Sequence, residues 1–218
     1  MPVSPIQYQD LSIQVYERIK KMITSGELKP GEKIKQEHMA NLLGVSRMPL
    51  HKAFQILEDQ MLVESIPRRG IFVHNPSLKE YIEAFECREA LEGIAVRKAA
   101  VNMANEQINE LKHLFIPFHR LEPINITEYR KADRIFHEAI MQASDNKLLQ
   151  RLNGIGNVLI KTFPKGILLG IQDSLNDHMN IIEALEKRNA DIAEKHMKNH
   201  VRKAREVLTE ELNNLKNT

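Results

Sequence analysis

The chain has 218 residues, room for one or two domains with a buried core, and 42% hydrophobic against 28% charged residues excludes intrinsic disorder. One cysteine, Cys87, excludes a disulfide framework and a thiolate zinc finger, and the longest apolar run, around residues 167–171, is far short of the roughly 20 needed to span a bilayer. Residues 1–76 hold 10 Lys and Arg against 8 Asp and Glu while residues 77–218 hold 21 of each, so the whole net charge of +2 sits in the N-terminal third, an excess that a solvated surface alone can produce. The opening Met1-Pro-Val-Ser-Pro lacks the basic stretch and apolar run of a signal peptide, so a soluble cytoplasmic protein without a membrane partner is expected.

Turn residues divide the N-terminal third. A helical pattern through Ile13, Tyr16, Ile19, Met22 and Ile23 ends at Ser25-Gly26. Pro30-Gly31 reads as a turn, and a short helix over about 36–43 closes on Gly44, which suits the left-handed C′ position. Ser46 reads as the N-cap of a third helix, with Pro49 in the first turn, where its missing N–H costs nothing. Residues 62–66 and 71–74 read as brief strands joined by Pro67-Arg68-Arg69-Gly70. Asn75-Pro76-Ser77 reads as a linker, giving predicted domains 1–75 and 76–218. Beyond it, helical stretches are predicted at about 78–103, 106–119, 127–143, 146–162, 173–187 and 190–216, with Ser77, Asn105 and Thr127 as caps and Pro117, Pro123 and Pro164 between segments. No strand pattern or repeat interrupts them, so the second domain is predicted all-α.

A short helix, a tight glycine turn and a second helix opening on small polar and basic residues is the order of a helix-turn-helix, whose second helix enters a major groove. Ser46, Arg47 and His51 lie where base edges would be met, and an arginine there can grip guanine with two bonds or hold a phosphate. Arg68, Arg69 and Gly70 at the hairpin tip suit a wing along the DNA backbone. A small bundle with surface charges is the plainer alternative. The ordered series Gly26-Glu-Leu-Lys-Pro30-Gly31, Met39-Ala40-Asn-Leu-Leu-Gly44-Val45-Ser46-Arg47-Met-Pro49 and Arg69-Gly70-Ile-Phe72-Val73 closely resembles the winged helix of the GntR family over nearly all of residues 10–75. The resemblance implies that Arg47 contacts the operator. His51 stands where an arginine is usual, and Glu37-His38 where some members carry a DNA-contacting arginine, so the operator sequence does not carry over.

In the second domain Asp133 and His137 are four apart on one helical face. His178 shares a stripe with Leu175, Ile181, Ile182 and Leu185, and His200 one with Ala193, Met197, Ala204 and Val207. A histidine on an apolar stripe needs a partner, because burying an unpaired imidazole is costly. Either each is a separately satisfied core histidine, or the four converge on a metal, where imidazole nitrogens with one carboxylate suit Zn, Ni, Co, Mn or Fe. Arg88-Glu-Ala-Leu91-Glu92, Asp133-x3-His137, Asn146-x-x-Leu149, Asp177-His178-x-x-Ile-Ile and Met197-x-x-His200 together resemble the FCD ligand-binding domain of the FadR subgroup over about 78–215. That resemblance implies one divalent ion, Zn or Ni foremost, on Asp133, His137, His178 and His200. It also implies that Arg88 faces the effector cavity, although a surface ion pair with Glu92 one turn on is its competing reading. Nothing resembles His-Glu-x-x-His or another hydrolase motif, so no enzyme is expected. The whole is expected to be a mainly α protein: a winged helix-turn-helix of three helices plus a β-hairpin, then an antiparallel helical bundle of FCD type. The expected function is a metabolite-responsive repressor that binds a palindromic operator in double-stranded DNA as a homodimer and answers a small organic acid at the metal.

Overall fold

The computed structural model describes residues 11–119, 123–162 and 169–216, with backbone only over 155–161. The opening residues 1–5, Pro164 and Ile167 lie outside the described residues. The chain divides into two compact units, Met1–Pro76 and Ser77–Thr218.

In the first unit α1 (Leu11–Thr24), α2 (Gln36–Leu43) and α3 (Arg47–Asp59) surround a core of Ile19, Leu50, Phe54, Leu57 and Leu62. Gly44 ends α2 at φ 65°, a left-handed conformation that glycine enters without a Cβ penalty. The sheet has three strands rather than two. Strand β1 (Lys33–Ile34) joins β2 (Val63–Ile66) and β3 (Gly70–Val73) in the order β1-β3-β2, all antiparallel, with Lys33 opposite Phe72 and Ile34 opposite Ile71. A two-residue strand is too short to show alternation, so residues 33–34 read as part of a loop.

The second unit is helical among its described residues. Helix α4 (Leu78–Asn102) packs along α9 (Ala190–Lys216) and also meets α6 (Ile126–Ala143) and α7 (Lys147–Lys161); α8 (Ile171–Glu186) lies against α9 and α5 (Asn105–Phe115). Ala95, Ala99 and Ala100 of α4, each at 0% exposure, are small enough to let neighbouring helices come close. A 3₁₀ turn over Ile116–His119 carries Pro117.

Ser77 caps α4 through a capping box, its Oγ accepting from Glu80 N at 3.2 Å while its own N–H donates to Glu80 Oε2 at 2.8 Å. The other two predicted caps are displaced. Asn125, not Thr127, starts α6, its Oδ1 accepting from the amides of Thr127 and Glu128. Asn105 lies inside α5, whose N-cap position is Ala104, held by the Gln107 side chain. The stripe assigned to His200 also turns by one residue, since Val207 is 37% exposed and Leu208 is buried.

Candidate functional site

In the first unit Ser46 occupies the N-cap position of α3 in extended conformation, yet its hydroxyl makes no capping bond. Ser46, Arg47, Met48 and His51 are all exposed, so the first turns of α3 offer a polar and basic face to a partner. At the hairpin tip Arg68 and Arg69 are exposed, Arg68 holds φ 63° and Gly70 φ 103°. The Arg69 guanidinium carbon sits 5.5 Å from the Phe72 ring centroid and Lys33 Nζ 5.8 Å from the same ring. Two cations thus flank one aromatic on the wing. Lys33 was missed in the sequence because its strand was.

In the second unit Asp133, His137, His178 and His200 come together from α6, α8 and α9, one ligand atom of each lying within 4.8 Å of all the others. The imidazole rings crowd: His178 and His200 centroids are 4.6 Å apart, His137 and His200 5.4 Å. His178 Nε2 lies 3.3 Å and His137 Nε2 3.7 Å from Asp133 Oδ1. The outward nitrogen of each ring faces a polar side chain. His178 Nδ1 is bonded to Tyr129 Oη at 3.2 Å, His200 Nδ1 lies 3.4 Å from Asp177 Oδ2, and His137 Nδ1 lies 2.7 Å from Glu92 Oε2. Asp177 is itself held by Lys203 Nζ at 2.7 Å, and Glu92 by Arg88 Nε at 2.6 Å. Phe115 stacks on His178 at 4.5 Å.

Burial and the nearby carboxylates set the charges. Burial draws His178 down to about 3, with Asp133 offsetting only part of it, and also lowers His200. For His137 burial acts the same way, but the Glu92 carboxylate outweighs it and, with Asp133, raises the ring to about 9. Burial would raise Glu92, yet Arg88 and His137 hold it at about 2; for Asp133 the bonds from His137 and His178 likewise overcome burial and keep it well below the usual range. Asp133, Glu92 and Asp177 thus face three imidazoles, two of them neutral with lone pairs available.

This donor set fits a divalent transition ion. Three imidazoles and a carboxylate are suitable ligands, the outward nitrogens of His178 and His200 are hydrogen-bonded as ligating histidines require, that of His137 faces the Glu92 carboxylate, and His178 Nε2 is a fully buried nitrogen without a hydrogen-bond partner. Of the residues singled out in the sequence, Arg88 is also here, buried against Glu92, whereas His196 is only half-buried on α9. The structure adds Tyr129, Glu92 and Asp177 to the site. Tyr129 was readable in principle, since it precedes Asp133 and His137 at intervals of four on the same face.

The FCD domain model matches residues 83–203, more than half of the chain, and the model of bacterial regulatory proteins of the gntR family matches residues 11–73. The chain belongs to the GntR family. Like the rest of this family it is a transcriptional regulator, not an enzyme. It is 28% identical over 193 residues to the uncharacterized HTH-type transcriptional regulator YdhC of Bacillus subtilis, covering 86% of each chain. It is 25% identical to the HTH-type transcriptional repressor RspR of Escherichia coli, covering 91% of this chain and 89% of that one. McbR/YncC of E. coli shares the fold, with a TM-score of 0.74 at 18% identity over 94% of this chain and 100% of the other. Among the described residues no helix of this GntR protein is long and apolar enough to cross a membrane.

Proposed function

We propose that this GntR regulator is a repressor that binds a palindromic operator as a homodimer and is modulated by a small carboxylate at a Zn or Ni ion in its FCD domain. The observation that carries the reading is the cluster of Asp133 with the buried His137, His178 and His200, donors from three helices with the outward nitrogen of each ring facing a polar side chain. Ser46, Arg47 and His51 read base edges, and Arg68, Arg69 and Gly70 follow the backbone. One recognition helix spans only a few base pairs, and two at fixed separation multiply the discrimination.

Asp133 and the three histidines hold the ion, which when bound supplies open coordination positions for a carboxylate oxygen. Arg88 gives one nitrogen to Glu92 and keeps its two terminal nitrogens for the anion. Phe115 and Phe136 keep water away from the rings. Because the ligands lie on α6, α8 and α9, filling the site favours one packing of these helices. The effector then changes operator affinity only by as much as it binds the two packings differently.

Thermal-shift screening of small organic acids on metal-loaded protein, followed by operator titration with each hit, tests this. A carboxylate that raises the melting temperature and weakens operator binding is the expected result. A protein whose operator affinity answers no acid, or answers equally well without metal, contradicts it.

A further inference from the structure

Glu92 lies one turn after Arg88 on α4, at 1% exposure, and touches two partners at once. Its Oε1 accepts from Arg88 Nε at 2.6 Å, while Oε2 is 2.7 Å from His137 Nδ1. A buried carboxylate needs a cation, and Arg88 meets that need by itself. The second contact has a different use. An imidazole that ligates a metal must present a bare nitrogen, so its single proton has to sit on the other ring atom. On His137 the nitrogen facing Asp133 is Nε2, and the nitrogen facing Glu92 is Nδ1. The two atoms are both buried and within hydrogen-bond distance of each other, with no other hydrogen-bond partner for either.

His178 and His200 have the phenol of Tyr129 and the half-buried carboxylate of Asp177 in the corresponding place. Among the three, His137 alone faces a carboxylate from a fourth helix that is itself anchored by a half-buried arginine. Helix α4 supplies none of the four donors, yet through this contact it reaches the centre.

We propose that Glu92 is a positioning residue of the metal centre: it keeps the His137 proton on Nδ1 and so presents Nε2 to the ion, with Arg88 as its anchor. The proposal rests on the reading of the four-residue cluster as a metal site. It brings α4 into the ligand response, because moving Arg88 moves Glu92 and with it a ligand.

The test is titration of chelator-stripped full-length protein with Ni²⁺, for wild type, Glu92→Gln and the double variant Arg88→Met/Glu92→Gln. Both variants should bind Ni²⁺ about 10–100-fold more weakly than wild type, the range for loss of a partner behind a ligating histidine. Nitrogen–proton correlation spectra of the Zn-loaded proteins should show the His137 Nδ1 proton shifted downfield by a strong hydrogen bond in wild type and less so in Glu92→Gln, a signature that a purely structural role for Glu92 does not produce. If Glu92→Gln fails to fold because Arg88 is stranded, the double variant, which removes both charges, carries the test. A folded double variant with wild-type Ni²⁺ affinity overturns the role of Glu92 alone. A wild type that takes up no Ni²⁺ overturns the metal site itself.

Discussion

Replacing His178 with phenylalanine separates the two things its ring does. The imidazole is fully buried, stacks on Phe115 at 4.5 Å and packs against Phe136 at 4.6 Å, and a phenyl ring keeps both contacts. What is lost is the bond to Tyr129 Oη and the bare Nε2 that faces Asp133. Loss of one hydrogen bond to a buried hydroxyl costs about 1–3 kcal/mol, and removing a buried polar ring returns part of that. Asp133 keeps a side-chain exposure of 33%, so water can still reach its carboxylate. The metal-free variant should therefore melt within a few degrees of wild type.

The metal response should differ much more. An ion at 100 times its dissociation constant stabilises the protein that binds it by about 2.7 kcal/mol. For a unit spanning residues 77–218 that corresponds to a rise of about 5–10 °C in melting temperature. Paired thermal melts of chelator-treated and Ni²⁺-loaded protein measure it directly. Wild type should show the rise and His178→Phe less than about 2 °C of it at the same metal concentration. Equal rises in the two proteins would refute the assignment of His178 as a ligand.

Arg47→Ala should weaken operator binding by about 1–3 kcal/mol and relax specificity at one base pair, and an unchanged gel-shift titration would displace α3 as the reading helix. Arg69→Ala should weaken binding to all sequences alike and lower the salt slope by about one unit, as a phosphate contact does. In metal-free protein, His178 at about 3 means the unfolded chain takes up a proton below about 6.5 that the folded one refuses, so stability falls as pH drops from there. His137 at about 9 acts oppositely, since the folded protein holds the extra proton between about 6.5 and 9 and loses stability as pH rises through that window. Denaturant melts at stepped pH should thus peak near pH 6.5, and a midpoint flat from pH 5 to 9 would contradict both shifts. Sedimentation at micromolar concentration should show a dimer, and a 25.2 kDa species with and without DNA would exclude it.

Much of the fold was readable because local chemistry agreed with it. The Ser-x-x-Glu at Ser77 and Glu80 announces α4, Gly44 announces the end of α2, and the apolar stripe through Leu175, His178, Ile181 and Ile182 is buried as drawn. Where local chemistry offered two answers, it chose wrongly. Asn125 and Thr127 are both good caps two residues apart, and only the backbone path decides that Asn125 Oδ1 reaches the free amides. The one-residue turn from Val207 to Leu208 reflects the drift between a fixed spacing and 3.6 residues per turn, which accumulates along a helix as long as α9. Spacing also singled out Asp133, His137, His178 and His200 as candidates, but not the groups behind them. Glu92 looked like the surface partner of Arg88, because its burial depends on α6 packing across α4, a tertiary fact with no local signal.

We propose that this GntR regulator carries a metal ion at the Asp133, His137, His178 and His200 cluster. Elemental analysis of protein purified without chelators and without a metal-affinity step tests it most directly. About one divalent transition ion per chain in the wild type and almost none in His178→Phe is the predicted result. A wild-type protein that carries no such ion, and takes none up on dialysis against Zn²⁺ or Ni²⁺, would contradict it.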